Sequence, residues 1–120
     1  MELIYYSKSN NTKRFVDSLE LDLEKHSIDS EPKDKYVLFT PTYNFGQIPD
    51  EVQEFLDKYS DGMVGVISFG NRNWGSLFAV SGNKISDLYN VPLLYKLELS
   101  GTQIDKKNVE NILRKGDYIG

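Results

Sequence analysis

Apolar residues gather into short blocks separated by polar, turn-rich stretches, and the blocks alternate between strand-like runs and helical spacing. Leu3-Ile4-Tyr5-Tyr6 is a continuous β-prone run that stops at the polar stretch 7–12, which reads as a buried strand entering a loop. Beyond the loop, Phe15, Val16 and Leu19 recur at i, i+1 and i+4, one face of a short amphipathic helix. Residues 21–34 are polar and carry Pro32, so they supply at most a weak edge strand around residues 23–28. Tyr36-Val37-Leu38-Phe39-Thr40 is the next strand, and Pro41 ends it because proline has no N–H to give a ladder. After the long loop 41–48, Pro49-Asp50-Glu51 sets a helix start, with proline in the first turn and carboxylates at the positive end of the dipole. Val52, Phe55, Leu56 and Tyr59 continue that helix. Met63-Val64-Gly65-Val66-Ile67-Ser68-Phe69 is a third clear strand, residues 70–75 a loop, and Phe78, Ile85 and Leu88 mark another helix. Residues 91–99 read as the last strand, alternating at Leu97-Glu98-Leu99. Asp105 is placed to cap a final helix whose apolar face is Val109, Ile112 and Leu113.

Strands alternating with helices at this spacing predict an α/β fold of parallel βαβ units, with a sheet covered on both faces and right-handed crossovers. Five strands and four helices fit a chain of 120 residues, read as a single domain over 1–120. With 39% hydrophobic and 27% charged residues the composition favours neither disorder nor a membrane span. Lys and Arg number 14 against 18 Asp and Glu, a net charge of −4 that makes nucleic acid a poor partner. The absence of cysteine excludes a disulfide framework, a thiolate nucleophile and Cys-ligated metal. The first residues carry no basic segment ahead of an apolar run, so neither a secretion signal nor a membrane anchor is expected, and the location expected is the cytoplasm. The single histidine lies in Glu24-Lys25-His26-Ser27 and reads as a solvated surface residue; no metal-ligand cluster is apparent along the chain.

In an open parallel sheet, ligands bind outside the carboxyl ends of the strands near the switch in strand order. Those ends are residues 7–12, 41–48, 70–75 and 100–102, rich in small, amide and aromatic residues, which points to a ligand with an uncharged planar part. Ser7-Lys8-Ser9-Asn10-Asn11-Thr12 leads into a helix N-terminus, where free backbone amides welcome a phosphate and hydroxyls add donors. The same cluster also reads as a plain cap and turn. Neither a dinucleotide GxGxxG nor a nucleoside triphosphate GxxxxGK[ST] is present, so a mononucleotide phosphate fits better. Thr42-Tyr43-Asn44-Phe45-Gly46 and Gly70-Asn71-Arg72-Asn73-Trp74-Gly75 put aromatics among residues that tolerate positive φ. Such loops can sandwich a flat ring; alternatively Tyr43, Phe45 and Trp74 fold back as a small satellite core.

Four stretches together resemble the NrdI family, small flavodoxin-like proteins. They are Ser7-x-Ser-x-Asn11 followed by Lys13-Arg14-Phe15, Phe45-Gly46-x-Ile48-Pro49, Ser68-x-Gly-Asn-Arg-Asn-Trp-Gly75, and Leu97-Glu98-Leu99-Ser100-Gly101-Thr102. The resemblance spans nearly the whole chain and implies a doubly wound five-stranded sheet of order 2-1-3-4-5. It further implies FMN, held by its phosphate on residues 7–12 and by its isoalloxazine between the loops 41–48 and 70–75. The implied cofactor-binding residues are Ser7, Lys8, Ser9, Asn10, Asn11, Thr12, Thr42, Tyr43, Asn44, Phe45, Gly46, Gly70, Asn71, Arg72, Asn73 and Trp74, with no catalytic side chain and no metal. The role implied is activation of class Ib ribonucleotide reductase: a flavin reductase supplies electrons, the reduced flavin reacts with O2, and superoxide or peroxide assembles the dimanganese-tyrosyl radical cofactor of the radical subunit. The chain departs from the pattern at Asn10 and Asn44, which stand where glycine is usual; asparagine is the best substitute at left-handed positions. The alternative is a generic electron-transfer flavodoxin. A signalling receiver of the same strand order is excluded, because it needs acids after strand one, an Asp after strand three and a Lys after strand five. Here those places hold Tyr6-Ser7, Thr40-Pro41 and Ser100-Gly101.

Overall fold

The alternation of buried runs with helical spacing is realised in the computed structural model, which describes residues 1–8, 10–42, 47–70, 79–98 and 101–115. The elements are β1 (Glu2–Tyr5), α1 (Asn11–Ser18), β2 (Glu24–Ser27), β3 (Tyr36–Pro41), α2 (Asp50–Tyr59), β4 (Met63–Gly70), α3 (Val80–Tyr89), β5 (Leu93–Glu98) and α4 (Gln103–Lys115). All four pairings are parallel and the order is β2-β1-β3-β4-β5. This is the expected flavodoxin-like arrangement, with its switch in strand order between β1 and β3.

Side chains alternate across each strand, so an unbroken apolar run feeds two cores. Leu3, Val37, Phe39, Ile67, Phe69 and Leu97 face Phe15 and Val16 of α1 and Val109 and Leu113 of α4. Ile4, Tyr36, Leu38 and Val66 face Val52, Phe55 and Leu56 of α2 and Ile85 of α3. Each fully buried side chain of this size stabilises by roughly 1.5–3 kcal/mol relative to exposure. Phe15 anchors the first core by meeting Phe69 edge-on, ring centroids 5.5 Å apart.

Three details depart from the sequence expectation. Asp105 is not the cap of α4. Thr102 is: its Oγ1 accepts from the Asp105 amide at 3.2 Å, and Asp105 Oδ2 accepts from the Thr102 amide at 2.9 Å, a reciprocal box that places Asp105 three residues inside. Leu88 is 65% exposed, because α3 packs through the small residues Ser81 and Gly82 together with Ile85, and Leu88 falls outside that stripe. His26 is not simply solvated: parallel pairing brings its ring against Glu2 and Glu24. Phe78 and Leu99 lie outside the described residues.

Candidate functional site

The carboxyl ends of β1 and β3 flank the switch in strand order, and the chain from β1 turns there into α1. Asn10, the residue before α1, adopts the left-handed conformation (φ 67°), as expected for an asparagine standing in for glycine. A left-handed residue followed by helical ones turns successive amides toward one point, an arrangement that receives anions. The helix start is otherwise left unfinished. Asn10 makes no side-chain capping bond, and the first turn carries no acid. Ser7 Oγ is buried with no hydrogen-bond partner among the described residues, a cost a protein of this kind rarely leaves standing. Thr12 is buried at 3% exposure in the first turn, while Lys8, Lys13 and Arg14 are exposed around the loop. The Lys13 ammonium is held above its usual range by its hydrogen bond and ion pair with Asp17 at 2.9 Å. Amides, an orphan hydroxyl and nearby cations fit a phosphate monoester.

The two neighbouring strand ends are tied together by serines that composition alone does not flag. Ser81 Oγ, at the start of α3, donates to the Pro41 carbonyl at 3.0 Å and lies 2.7 Å from Thr42 Oγ1, which also meets the Ser81 amide at 3.3 Å. The Thr42 hydroxyl is thus engaged with the end of α3. Ser68 Oγ donates to the Ala79 carbonyl at 2.6 Å. At Gly70 a Cβ would stand 2.4 Å from the Ala79 nitrogen, so glycine is required there by close backbone approach. These bonds fix where the chain leaves β4 and returns into α3, which brackets the loop between them.

At the end of β1, the Tyr6 hydroxyl donates to the Glu51 carboxylate in the first turn of α2. That bond holds the Glu51 carboxyl below its usual range, with a smaller pull from Lys8. Of the residues expected to bind a cofactor, Ser7, Lys8, Asn10, Asn11 and Thr12 lie together at the start of α1, and Thr42 and Gly70 at the ends of β3 and β4. Ser9, Tyr43, Asn44, Phe45, Gly46, Asn71, Arg72, Asn73 and Trp74 lie outside the described residues. Sequence reasoning missed Ser81, Glu51 and the use of Tyr6; the only signal was their position just beyond strand ends or at a helix start.

The family model described as "NrdI Flavodoxin like" matches residues 3–111. A curated relative, "Protein NrdI" of Macrococcus caseolyticus (strain JCSC5402), is 42% identical over 111 residues, covering 89% of this chain and 84% of that protein. Among solved structures, a short-chain flavodoxin associated with a non-canonical PDU bacterial microcompartment superposes with TM-score 0.74 at 18% identity, covering 94% of this chain and 93% of that one. The flavodoxin of Streptococcus pneumonia TIGR4 superposes with TM-score 0.73 at 19% identity, covering 94% of each chain. At such identities these two likenesses speak to the fold alone.

Proposed function

The chain belongs to the NrdI flavodoxin-like family, and from that premise we propose that it is an FMN redox protein that activates a class Ib ribonucleotide reductase in the cytoplasm. The observation that carries the reading is the buried Ser7 hydroxyl, which has no partner among the described residues, beside a start of α1 where Asn10 makes no capping bond. One such loop at one helix N-terminus serves one phosphate, and no second nucleotide fingerprint exists, which favours FMN over FAD or a nicotinamide.

FMN, if held there, would supply the redox chemistry by which electrons from a flavin reductase would reduce O2 to the superoxide or peroxide needed to assemble the dimanganese-tyrosyl radical cofactor of the radical-bearing subunit. The chain's own residues bind, orient and tune. Ser7, Lys8, Ser9, Asn10, Asn11 and Thr12 take the phosphate; Thr42, Tyr43, Asn44, Phe45, Gly46, Gly70, Asn71, Arg72, Asn73 and Trp74 flank the ring. Asn44 and Gly46 visit positive φ readily, so a peptide there can turn its carbonyl toward the ring nitrogen that gains a proton on reduction. The Arg72 guanidinium supplies a cation that favours negative charge on the ring and attracts superoxide. Tyr43, Phe45, Arg72 and Trp74 are the candidates for a docking rim, since aromatic residues and arginine dominate interface hot spots.

Two measurements test this. The purified protein should show flavin absorption bands, and its released cofactor should run as FMN on chromatography; a protein that takes up no flavin overturns the reading. The reduced protein and O2, mixed with the manganese-loaded radical subunit from the same source, should yield tyrosyl radical by EPR where free peroxide should not. Equal radical from any unrelated reduced flavodoxin would leave the electron-transfer flavodoxin as the better account.

A further inference from the structure

At the amino end of the sheet, opposite the strand ends described above, pairing of β1 with β2 sets Glu2 beside Glu24 and Ile4 beside His26. Residues 24 and 26 are two apart, so both side chains stand on one face of the edge strand. His26 Nε2 lies 3.3 Å from Glu2 Oε1 and 2.9 Å from Glu24 Oε2, and the three ligand atoms are within 4.8 Å of one another. The Glu2 side chain is only 5% exposed. Its Oε2 accepts from the amides of Lys33 at 2.9 Å and Asp34 at 3.1 Å, which fixes the carboxylate and leaves Oε1 facing His26. Two carboxylate oxygens and one imidazole nitrogen therefore lie close enough to share one ion, and one of the carboxylates is buried. Lone pairs so arranged can share a bound cation, which offsets the cost of keeping a carboxylate buried. A proton on Nε2 points along one direction and serves two oxygens only with bent bonds.

We propose that Glu2, Glu24 and His26 form a binding site for a divalent transition cation of the zinc class, which pins the edge strand β2 to β1. Zinc bound by nitrogen and oxygen ligands at about 2.0–2.2 Å puts neighbouring ligand atoms roughly 3.3–3.5 Å apart in a tetrahedron. The His26–Glu2 separation of 3.3 Å already fits. Glu24 must withdraw by about half an ångström to reach that spacing. Its side chain is 71% exposed and free to do so. An imidazole nitrogen with two carboxylates and no thiolate suits zinc and its transition-metal neighbours, whereas calcium and magnesium take oxygen ligands. Water fills the fourth position, and ligation through Nε2 leaves the ring proton on Nδ1. At the rise of a strand, Glu2 stands about 16 Å along the chain from Ser7, so the ion acts as a clamp on the sheet and not on the flavin end. A clamp suits this place: β2 is four residues long and has a single neighbour, β1.

The chain's one histidine makes the test direct, since one set of imidazole resonances reports on it. Zinc chloride titrated into the full, untagged protein should shift the His26 ring resonances to saturation at one equivalent and raise the thermal unfolding midpoint. His26→Gln should lose at least tenfold in zinc affinity and lose the stabilisation, and Glu24→Gln should weaken binding in the same direction. Glu54→Gln, an exposed carboxylate on α2, should bind as the parent does. Unmoved ring resonances, or a His26→Gln variant that binds zinc like the parent, overturns the proposal.

Discussion

The helix after β1 and the helix after β5 both follow a left-handed residue, Asn10 at φ 67° and Gly101 at φ 77°, and from there they are finished in different ways. At α4 the Thr102–Asp105 box closes the free amides with the chain's own oxygens, and the Tyr95 hydroxyl donates to Asp105 at 2.8 Å. At α1 no side chain caps, no acid stands in the first turn, and the Ser7 hydroxyl is left without a partner among the described residues. The left-handed residues differ too. A Cβ on Gly101 would lie 2.7 Å from Leu97 Cδ1 and 2.8 Å from Phe15 Cδ2, whereas Asn10 is exposed and its side chain has room. One helix start is complete as folded and packed shut; the other leaves a hydroxyl without a partner among the described residues. The two starts thus differ in which oxygens the chain supplies, and the proposed phosphate site is the one where it withholds them.

Exchanging the two left-handed residues gives the largest effect. Gly101→Asn forces a side chain into Leu97 and Phe15 and should destabilise by roughly 2 to 4 kcal/mol, combining left-handed strain with overpacking. Asn10→Gly should leave stability within about 0.5 kcal/mol, since an exposed asparagine already accepts this conformation. Urea midpoints for the two variants check this, and equal losses would erase the distinction between a closed and an open start.

Supplying α1 with its own acid should convert it to the α4 kind. Ser7→Asp offers a carboxylate to the convergent amides and opposes a phosphate, so FMN affinity should fall at least tenfold, ~1.4 kcal/mol or more, with the flavin-free protein no less stable. Ser7→Ala keeps the amides and removes one hydroxyl, and should cost about tenfold or less. Fluorescence titration with FMN reads both.

How much of the fold and the site is legible in the chain follows from the physics of each feature. The strands are readable because a parallel sheet buried on both faces needs unbroken apolar runs, which Tyr36-Val37-Leu38-Phe39 supplies. The start of α1 is readable as a candidate place for phosphate, since hydroxyl and amide residues before a helix can mark one locally, though the same residues also mark a plain cap. The serine ties, Ser81 to Pro41 and Ser68 to Ala79, are not, because they span 40 and 11 residues and depend on how closely two backbones approach. Glu2, Glu24 and His26 stay apart in the sequence for the same reason: only the register of β1 on β2 makes them neighbours. Leu88 misleads because helical spacing names a face without saying how wide the neighbouring surface is, and Asp105 because a cap and the third residue of a capping box carry the same residue types.

Opening the α4 box is a smaller perturbation and separates capping from ligand binding. Asp105→Ala removes the acceptor of the Thr102 amide and of the Tyr95 hydroxyl, and should cost about 1 kcal/mol. FMN affinity should not change, because the start of α4 has been completed without an anion. A loss of affinity matching the loss at Ser7 would mean that both helix starts face the ligand.

The smallest effect concerns α2, whose first turn carries its own acids, Asp50 and Glu51. The Tyr6 hydroxyl bond lowers the Glu51 carboxyl from its ordinary value, with Lys8 adding a lesser pull. A carboxyl lowered in the folded state contributes stability that is present above its unfolded value, near 4.3, and is lost as pH falls through the lowered folded value. Tyr6→Phe removes the donor, so the variant should be less stable than the parent at neutral pH, and the gap should close progressively below about pH 4. The carboxylate is solvent-exposed and screened, so the gap at neutral pH should be smaller than the loss caused by Asp105→Ala. Urea midpoints at neutral and acid pH measure it. A gap that stays constant across that range would show that Tyr6 contributes by packing against the core beside α2; a gap that closes assigns its role to holding Glu51 in the first turn of α2.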